Sequence, residues 1–203
     1  TAVITDSGLR DARGAFGSDN NNNKAFVGRV GVSPWMRQEI GLSGYVGAYD
    51  TDGHDIYGFD VDWHFERGPF ELVGEWAFWD LQDGFQTTSA SALTTTPVPP
   101  QMNGGYVEGR YHFWLEVLDQ TFLGRGFKHP TLALIGRYGH VDITDDGDER
   151  SGDNVEERWT IGISYRPVET WAFKFEYQNN RTKTEALERG NSDGFIGSVT
   201  AAF

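Results

Sequence analysis

Near the end of the chain, every second residue is large and apolar. Trp159, Ile161, Ile163 and Tyr165 alternate with Arg158, Thr160, Gly162, Ser164 and Arg166. After Pro167 the pattern resumes, with Trp171, Phe173, Phe175 and Tyr177 interleaved with Ala172, Lys174, Glu176 and Gln178. Side chains of a β-strand point to opposite faces in turn, so this period of two predicts strands whose faces meet two different environments. Upstream, Phe26, Gly28, Val30 and Val32 oppose Val27, Arg29 and Gly31, and Ile40, Leu42, Val46 and Ala48 oppose Glu39, Ser43, Tyr45 and Tyr49. Tyr57, Phe59, Val61, Trp63 and Phe65 oppose Asp60, Asp62, His64 and Glu66; Phe70, Leu72, Trp76 and Phe78 oppose Glu71, Val73, Glu75 and Trp79. Val107, Tyr111, Phe113 and Leu115 oppose Glu108, Arg110, His112 and Glu116. In the segment Leu132 to Thr144 the apolar frame changes near Gly139, from Leu134 and Tyr138 to Val141 and Ile143, which predicts a β-bulge. A last strand runs from about Gly194 to Phe203, giving about nine strands.

The connections sort into two kinds. Ser33 to Met36, Glu66 to Pro69 and Arg166 to Glu169 are short and carry proline, and Asp119 to Pro130 falls on the same side though it is long. Asp50 to Asp55, Leu81 to Met102, Asp145 to Glu156 and Thr182 to Asp193 are longer and polar. Short turns at one rim and long loops at the other are the layout of a transmembrane antiparallel β-barrel, whose strands alternate lipid-facing and lumen-facing residues. Residues 1–203 then form one all-β barrel unit, with 1–24, Asn-rich and polar, as an extracellular loop and 25–203 as strands and loops. If Phe203 lies at the periplasmic rim, counting back nine strands starts the first one outside. Bacterial barrels have an even strand number, so the chain is expected to be the C-terminal part of a larger barrel.

Composition sharpens this picture. The chain has 203 residues, 38% hydrophobic and 14% aromatic, with no cysteine and a formal net charge of -13. Its mean hydropathy of -0.50 leaves no apolar run of the ~20 residues that a membrane helix needs. The negative charge opposes nucleic-acid binding. Without cysteine there is neither a disulfide framework nor a thiolate metal site.

Several stretches resemble the second half of large outer-membrane porins. They are Asp11-Ala12-Arg13-Gly14-Ala15-Phe16, the run Asn20 to Asn23, Gly28-Arg29-Val30, Ile40 to Tyr45, Arg67 to Leu72, Arg137-Tyr138, Glu157 to Gly162, Tyr165-Arg166-Pro167 and Asp193-Gly194-Phe195. The chain is most similar in these to the phosphate-selective porin-like group, the porin O and P family. That resemblance implies a barrel of about 16 to 18 strands, a homotrimer, a bacterial outer-membrane location with lipid and lipopolysaccharide around it, and passive diffusion of small hydrophilic solutes or ions. Phosphate selectivity in that family rests on basic residues lining the pore. Here the polar faces carry Arg29, Arg110, Arg137, Arg158, Arg166 and Lys174 together with Asp60, Asp62, Glu66, Glu71, Glu75, Glu108, Glu116 and Glu176, so the wall is of mixed sign. The expected pore-lining set is Arg29, Asp60, Asp62, His64, Glu71, Glu75, Glu108, Arg110, Arg137, Arg158, Lys174 and Glu176.

The same residues bear on other chemistries. Asp60, Asp62, His64 and Glu66 spread over roughly 20 Å of strand, too far for one ion, so no metal and no cofactor is expected. Glu71, Glu75 and Glu108 could serve glycoside hydrolysis in a soluble β-sandwich, but ion pairs with Arg110 and Arg137 are the simpler expectation. Asp145 to Asp148 lacks the spaced ligands of an EF-hand. No nucleophile triad, phosphate loop or zinc-helix motif occurs, and no enzyme activity is expected. A structural barrel that anchors or sheathes another protein is the alternative membrane reading. Trp35, Trp63, Tyr165 and Trp171 suit an interfacial aromatic girdle. Lysine at position 175 should disturb folding, and lysine at position 160 should not.

Overall fold

The computed structural model describes residues 24–48, 55–82, 86–88, 95–97, 101–144, 154–183 and 191–202. The strands are β1 (Phe26–Val32), β2 (Gln38–Ala48), β3 (Asp55–Arg67), β4 (Phe70–Leu81), β5 (Gln86–Thr88), β6 (Thr95–Pro97), β7 (Gln101–Phe113), β8 (Thr131–Thr144), β9 (Asn154–Val168), β10 (Trp171–Lys183) and β11 (Ser192–Ala201). Nine of them form a single sheet in the order β1-β2-β3-β4-β7-β8-β9-β10-β11, and β5 and β6 form a separate two-stranded hairpin. Every pairing is antiparallel between neighbours in the meander. The sheet is open, with β1 and β11 at its edges. The nine expected strands are therefore present and antiparallel. The loop expected over residues 1–24 and the acidic stretch Asp145 to Asp148 lie outside the described residues, except for Lys24.

The turns follow from their residues. Arg67 pairs with Phe70, leaving a two-residue loop of Gly68 and Pro69. Gly68 has φ 59°, a conformation that a residue without Cβ adopts at little cost. The β7–β8 connection is longer and holds a 3-10 turn at Glu116–Leu118. It lies back against the sheet, with Trp114 stacked on Tyr165 at 6.4 Å and the Tyr165 hydroxyl donating to the Leu123 carbonyl.

Register places the two faces. From Val30 the apolar face runs across Leu42, Val61 and Trp76, and on β7 to β11 it carries Val107, Leu134, Ile163, Phe175 and Val199. The opposite face carries Arg29, Asp60, Asp62, His64, Glu71, Glu75, Glu108, Arg110, Arg137, Arg158, Lys174 and Glu176, as the alternation predicts.

Over much of the sheet burial runs opposite to that of a soluble sheet, although Ile56, Leu81, Leu132, Ala133 and Ile135 are buried. Phe175 is 57% exposed, Ile161 66% and Phe59 50%, whereas Glu108 is 4% and Ser164 4%. The ordinary rule puts ionised groups outside and large apolar ones inside.

Both faces change character toward the long-loop rim. There the apolar face ends in Asp80, Gln101, Asn103, His140, Asp142, Glu157, Asn179 and Asp193. Two pairs among them are bonded, Asn179 Nδ2 donating to Asp193 at 2.6 Å and Gln101 Nε2 to Asp80 at 3.1 Å. On β3 to β8 the polar face at that rim instead holds Ile56, Trp79, Leu81, Met102, Val141 and Ile143, whereas on β9 and β10 it keeps Glu156, Arg158 and Asn180. This exchange accounts for Val141 and Ile143. The bulge expected near Gly139 is absent, because β8 keeps one register against both neighbours from end to end. The irregularity in this sheet lies between Trp171 and Phe173.

The strands are also staggered. A level line from Val32, the end of β1, passes Ile40, Trp63, Gly74, Val107 and Tyr138 to Trp159, nine residues short of Val168, the end of β9 (159 to 168).

Candidate functional site

The densest chemistry lies on the polar face of β1 to β8. Arg29 Nη2 reaches Asp62 at 2.7 Å and Glu39 at 3.3 Å. Gly41 of β2 lies beneath this bridge, and any Cβ there would overlap both Asp62 Oδ2 and Arg29 Nη2. Glycines on a middle strand open the same kind of route elsewhere. Gly58 lies under the Trp79 ring, which meets Tyr45 two strands away at 5.5 Å.

A second group surrounds Glu71 at the short-turn rim. Arg110 Nη1 donates to Glu71 Oε1 at 2.7 Å, and the His112 ring nitrogen Nε2 meets Glu71 Oε2 at 2.9 Å. Arg110 also bonds through Nε to the buried Glu108 at 2.5 Å, and Arg137 Nη1 lies 3.9 Å from the other Glu108 oxygen. The guanidinium of Arg137 sits over the Tyr106 ring at 3.9 Å. Glu108 is thus held between two arginines, which compensates the loss of its hydration. The ion pairs expected for Glu71 and Glu108 are present, but Glu75 forms none among the described residues. A recess of about 600 Å³ is lined by Arg29, Asp60, Asp62, Glu71, Glu75 and Arg110, among others.

The sheet thus brings Arg29, Asp60, Asp62, His64, Glu71, Glu75, Glu108, Arg110 and Arg137 into one continuous patch. Arg158, Lys174 and Glu176 share the face but lie on β9 and β10, away from the recess. Arg158 Nε bonds to Asn180 Oδ1 at 2.5 Å.

Sequence reasoning missed two features here. Counting across the two-residue turn would have set Glu66 opposite Glu71, which is the observed pairing. His112 could not have been placed, because the register of β7 on β4 follows a connection of uncertain length. One expectation is corrected. Thr160 does lie on the polar face, but it is 6% exposed, its Oγ1 has no hydrogen-bond partner, and it pairs with Arg137. A lysine there would be crowded and would face a like charge, so it would not be silent.

Asp60 Oδ2, His64 Nε2, Thr160 Oγ1 and Ser164 Oγ, all on this face, are buried atoms without a hydrogen-bond partner. Such atoms mark places where water, an ion or a solute fits. No protein-family model matches this chain, and a search of curated proteins finds no match either.

Proposed function

We propose that the nine-stranded sheet is part of the wall of a transmembrane β-barrel in a bacterial outer membrane, and that its function is passive diffusion of small hydrophilic solutes or ions. The observation that carries this reading is the inverted burial, with Phe59, Ile161 and Phe175 bare and Glu108 and Ser164 covered. A soluble protein rarely leaves an apolar patch of more than a few hundred Å². Hydrocarbon is the environment in which such a face is at rest, and on β10 the apolar run continues over ~20 Å of strand from Trp171 to Tyr177. Aromatic side chains stand at both margins, with Tyr138, Trp159 and Tyr177 toward the long loops and Trp35, Trp63, Tyr165 and Trp171 toward the short turns.

The stagger supports the same reading. Nine residues of offset over the six strand steps from β1 to β9 correspond to a tilt of about 45° at ~3.3 Å per residue and ~4.8 Å per strand, if the turns lie in one plane. Barrel closure requires tilt of this order. β1 and β11 run in the same direction, so antiparallel closure takes an odd number of further strands. The mixed charge of the patch gives a hydrated wall without strong preference for either sign. Homotrimer formation and kinship with the phosphate-selective porin-like group rest on sequence resemblance alone. Lipid and lipopolysaccharide would be the surrounding partners.

The test is planar-bilayer conductance of the closed barrel, this chain together with the further strands that complete it, folded in detergent. Stepwise channels with weak ion selectivity are expected. A folded, membrane-inserted protein with no conductance would make this a structural barrel. A protein that stays monodisperse and folded without detergent would make it a soluble β protein, and both would overturn the porin reading.

A further inference from the structure

The turn between β3 and β4 sets two glutamates directly opposite each other, Glu66 and Glu71. Like charges in that position destabilise a sheet unless a cation lies between them. His64, two residues before Glu66 on the same face, aims Nε2 at both carboxylates, 3.3 Å from Glu66 Oε1 and 3.5 Å from Glu71 Oε1. That nitrogen is shielded from solvent, yet it makes no hydrogen bond. One ligand atom from each of the three side chains lies within 4.8 Å of the others. Ligands held tetrahedrally at about 2.0–2.2 Å from a zinc ion stand about 3.3–3.5 Å apart, which is the separation of the imidazole nitrogen from each carboxylate.

We propose that His64, Glu66 and Glu71 form a binding site for a divalent transition-metal ion of the zinc class, with one nitrogen and two oxygen ligands. The tight Gly68-Pro69 loop fixes the register that sets Glu66 opposite Glu71, so both carboxylates start from neighbouring backbone positions. Outer partners are in place as well. His112 meets Glu71 Oε2 at 2.9 Å, and Arg37 Nη1 lies 3.6 Å from Glu66 Oε2, leaving Glu66 Oε1 turned to the imidazole. Arg110 competes for Glu71 Oε1, but it is already bonded to Glu108 and can remain there when Glu71 turns to the ion. The three ligands leave a fourth position open, next to the recess that His64 and Glu71 line. The site needs only the β3–β4–β7 geometry and stands whether or not the polar face conducts.

The test is titration of the full chain, folded in detergent micelles, with zinc chloride by calorimetry, under excess magnesium to occupy ordinary surface carboxylates. One equivalent of zinc is expected to bind. His64→Gln and Glu66→Gln should each weaken it at least about 10-fold, and His112→Ala, an outer partner, by about 10- to 100-fold. His129→Gln, in the β7–β8 connection, should leave the affinity unchanged. Copper(II) added in place of zinc should show nitrogen hyperfine coupling in its paramagnetic resonance spectrum that disappears in His64→Gln, a readout independent of affinity. Equal zinc affinity in the parent and His64→Gln, or copper coupling that survives His64→Gln, would overturn the proposal. Absence of saturable zinc binding would do the same.

Discussion

Arg29 and Asp62 meet at 2.7 Å although the whole of β2 lies between their strands. The bridge exists because Gly41 contributes no side chain beneath it. A methyl at position 41 overlaps the far ends of two flexible side chains and not backbone, so Gly41→Ala should part the ion pair and leave the sheet intact. Half-exposed pairs are worth about 0–1 kcal/mol, and the loss should fall in that range. In a double-mutant cycle read by urea unfolding, Arg29→Ala should cost less in the Gly41→Ala background than alone. Strict additivity would show that the two residues do not communicate through Asp62.

Glu108 is almost fully covered and is held between Arg110 and Arg137. Glu108→Gln removes the charge that balances both guanidinium groups, while Arg110 keeps Glu71. Because Arg110 and Arg137 are partly solvated, the expected destabilisation is about 1–3 kcal/mol. The local wall becomes more positive. Reversal potentials across a salt gradient should therefore move toward anion preference in Glu108→Gln. An unchanged potential would place Glu108 away from the conducting path.

The two faces should respond differently to a new cation. Phe175→Lys, on the bare apolar face, should cost about 2–4 kcal/mol if that face meets lipid near the midplane. Ser43→Lys, on the polar face between Arg29 and Asp60, should change stability by less than about 0.5 kcal/mol, since Asp60 Oδ2 has no other partner. Equal losses in refolding titrations would show that the faces have been assigned to the wrong environments.

Tyr165 ties the β7–β8 connection to β9 through its bond to the Leu123 carbonyl. Tyr165→Phe keeps the ring against Trp114 and removes only the hydroxyl. A loss of about 0.5–1.5 kcal/mol is expected, together with faster amide exchange in residues 115–127. Exchange that stays at the parent rate would mean that ring stacking alone holds the connection.

Much of the sheet could be read in the sequence, for a physical reason. Alternation is a local property, so the faces of Trp159 to Tyr165 and of Tyr57 to Phe65 follow from the chain without knowledge of its partners. The rims are harder. Val141 and Ile143 looked like a change of frame because the polar face itself becomes apolar there, and a bulge was the wrong explanation. The Glu66–Glu71 pair was within reach, since a two-residue turn fixes its own register. The meeting of Glu71 with Arg110 and His112 was not, because it depends on how β7 aligns with β4 across residues 82–100, and composition does not encode that alignment. The alternation places Thr160 on the polar face, but the Arg137 side chain opposite it follows only from how β8 lies beside β9.

The exchange of character at the long-loop rim bears on traffic. If the polar face encloses a conduit, Ile56, Trp79, Leu81, Met102, Val141 and Ile143 form an oily collar at its outer mouth, above the zone of paired charges. Along β3 to β8 a hydrated ion arriving there finds no group to replace its water shell, and only from Glu156 and Arg158 of β9 onward does the rim offer charge again. Admission at the mouth, and not passage along the ladder of arginines and carboxylates, would then be the slow step for charged solutes.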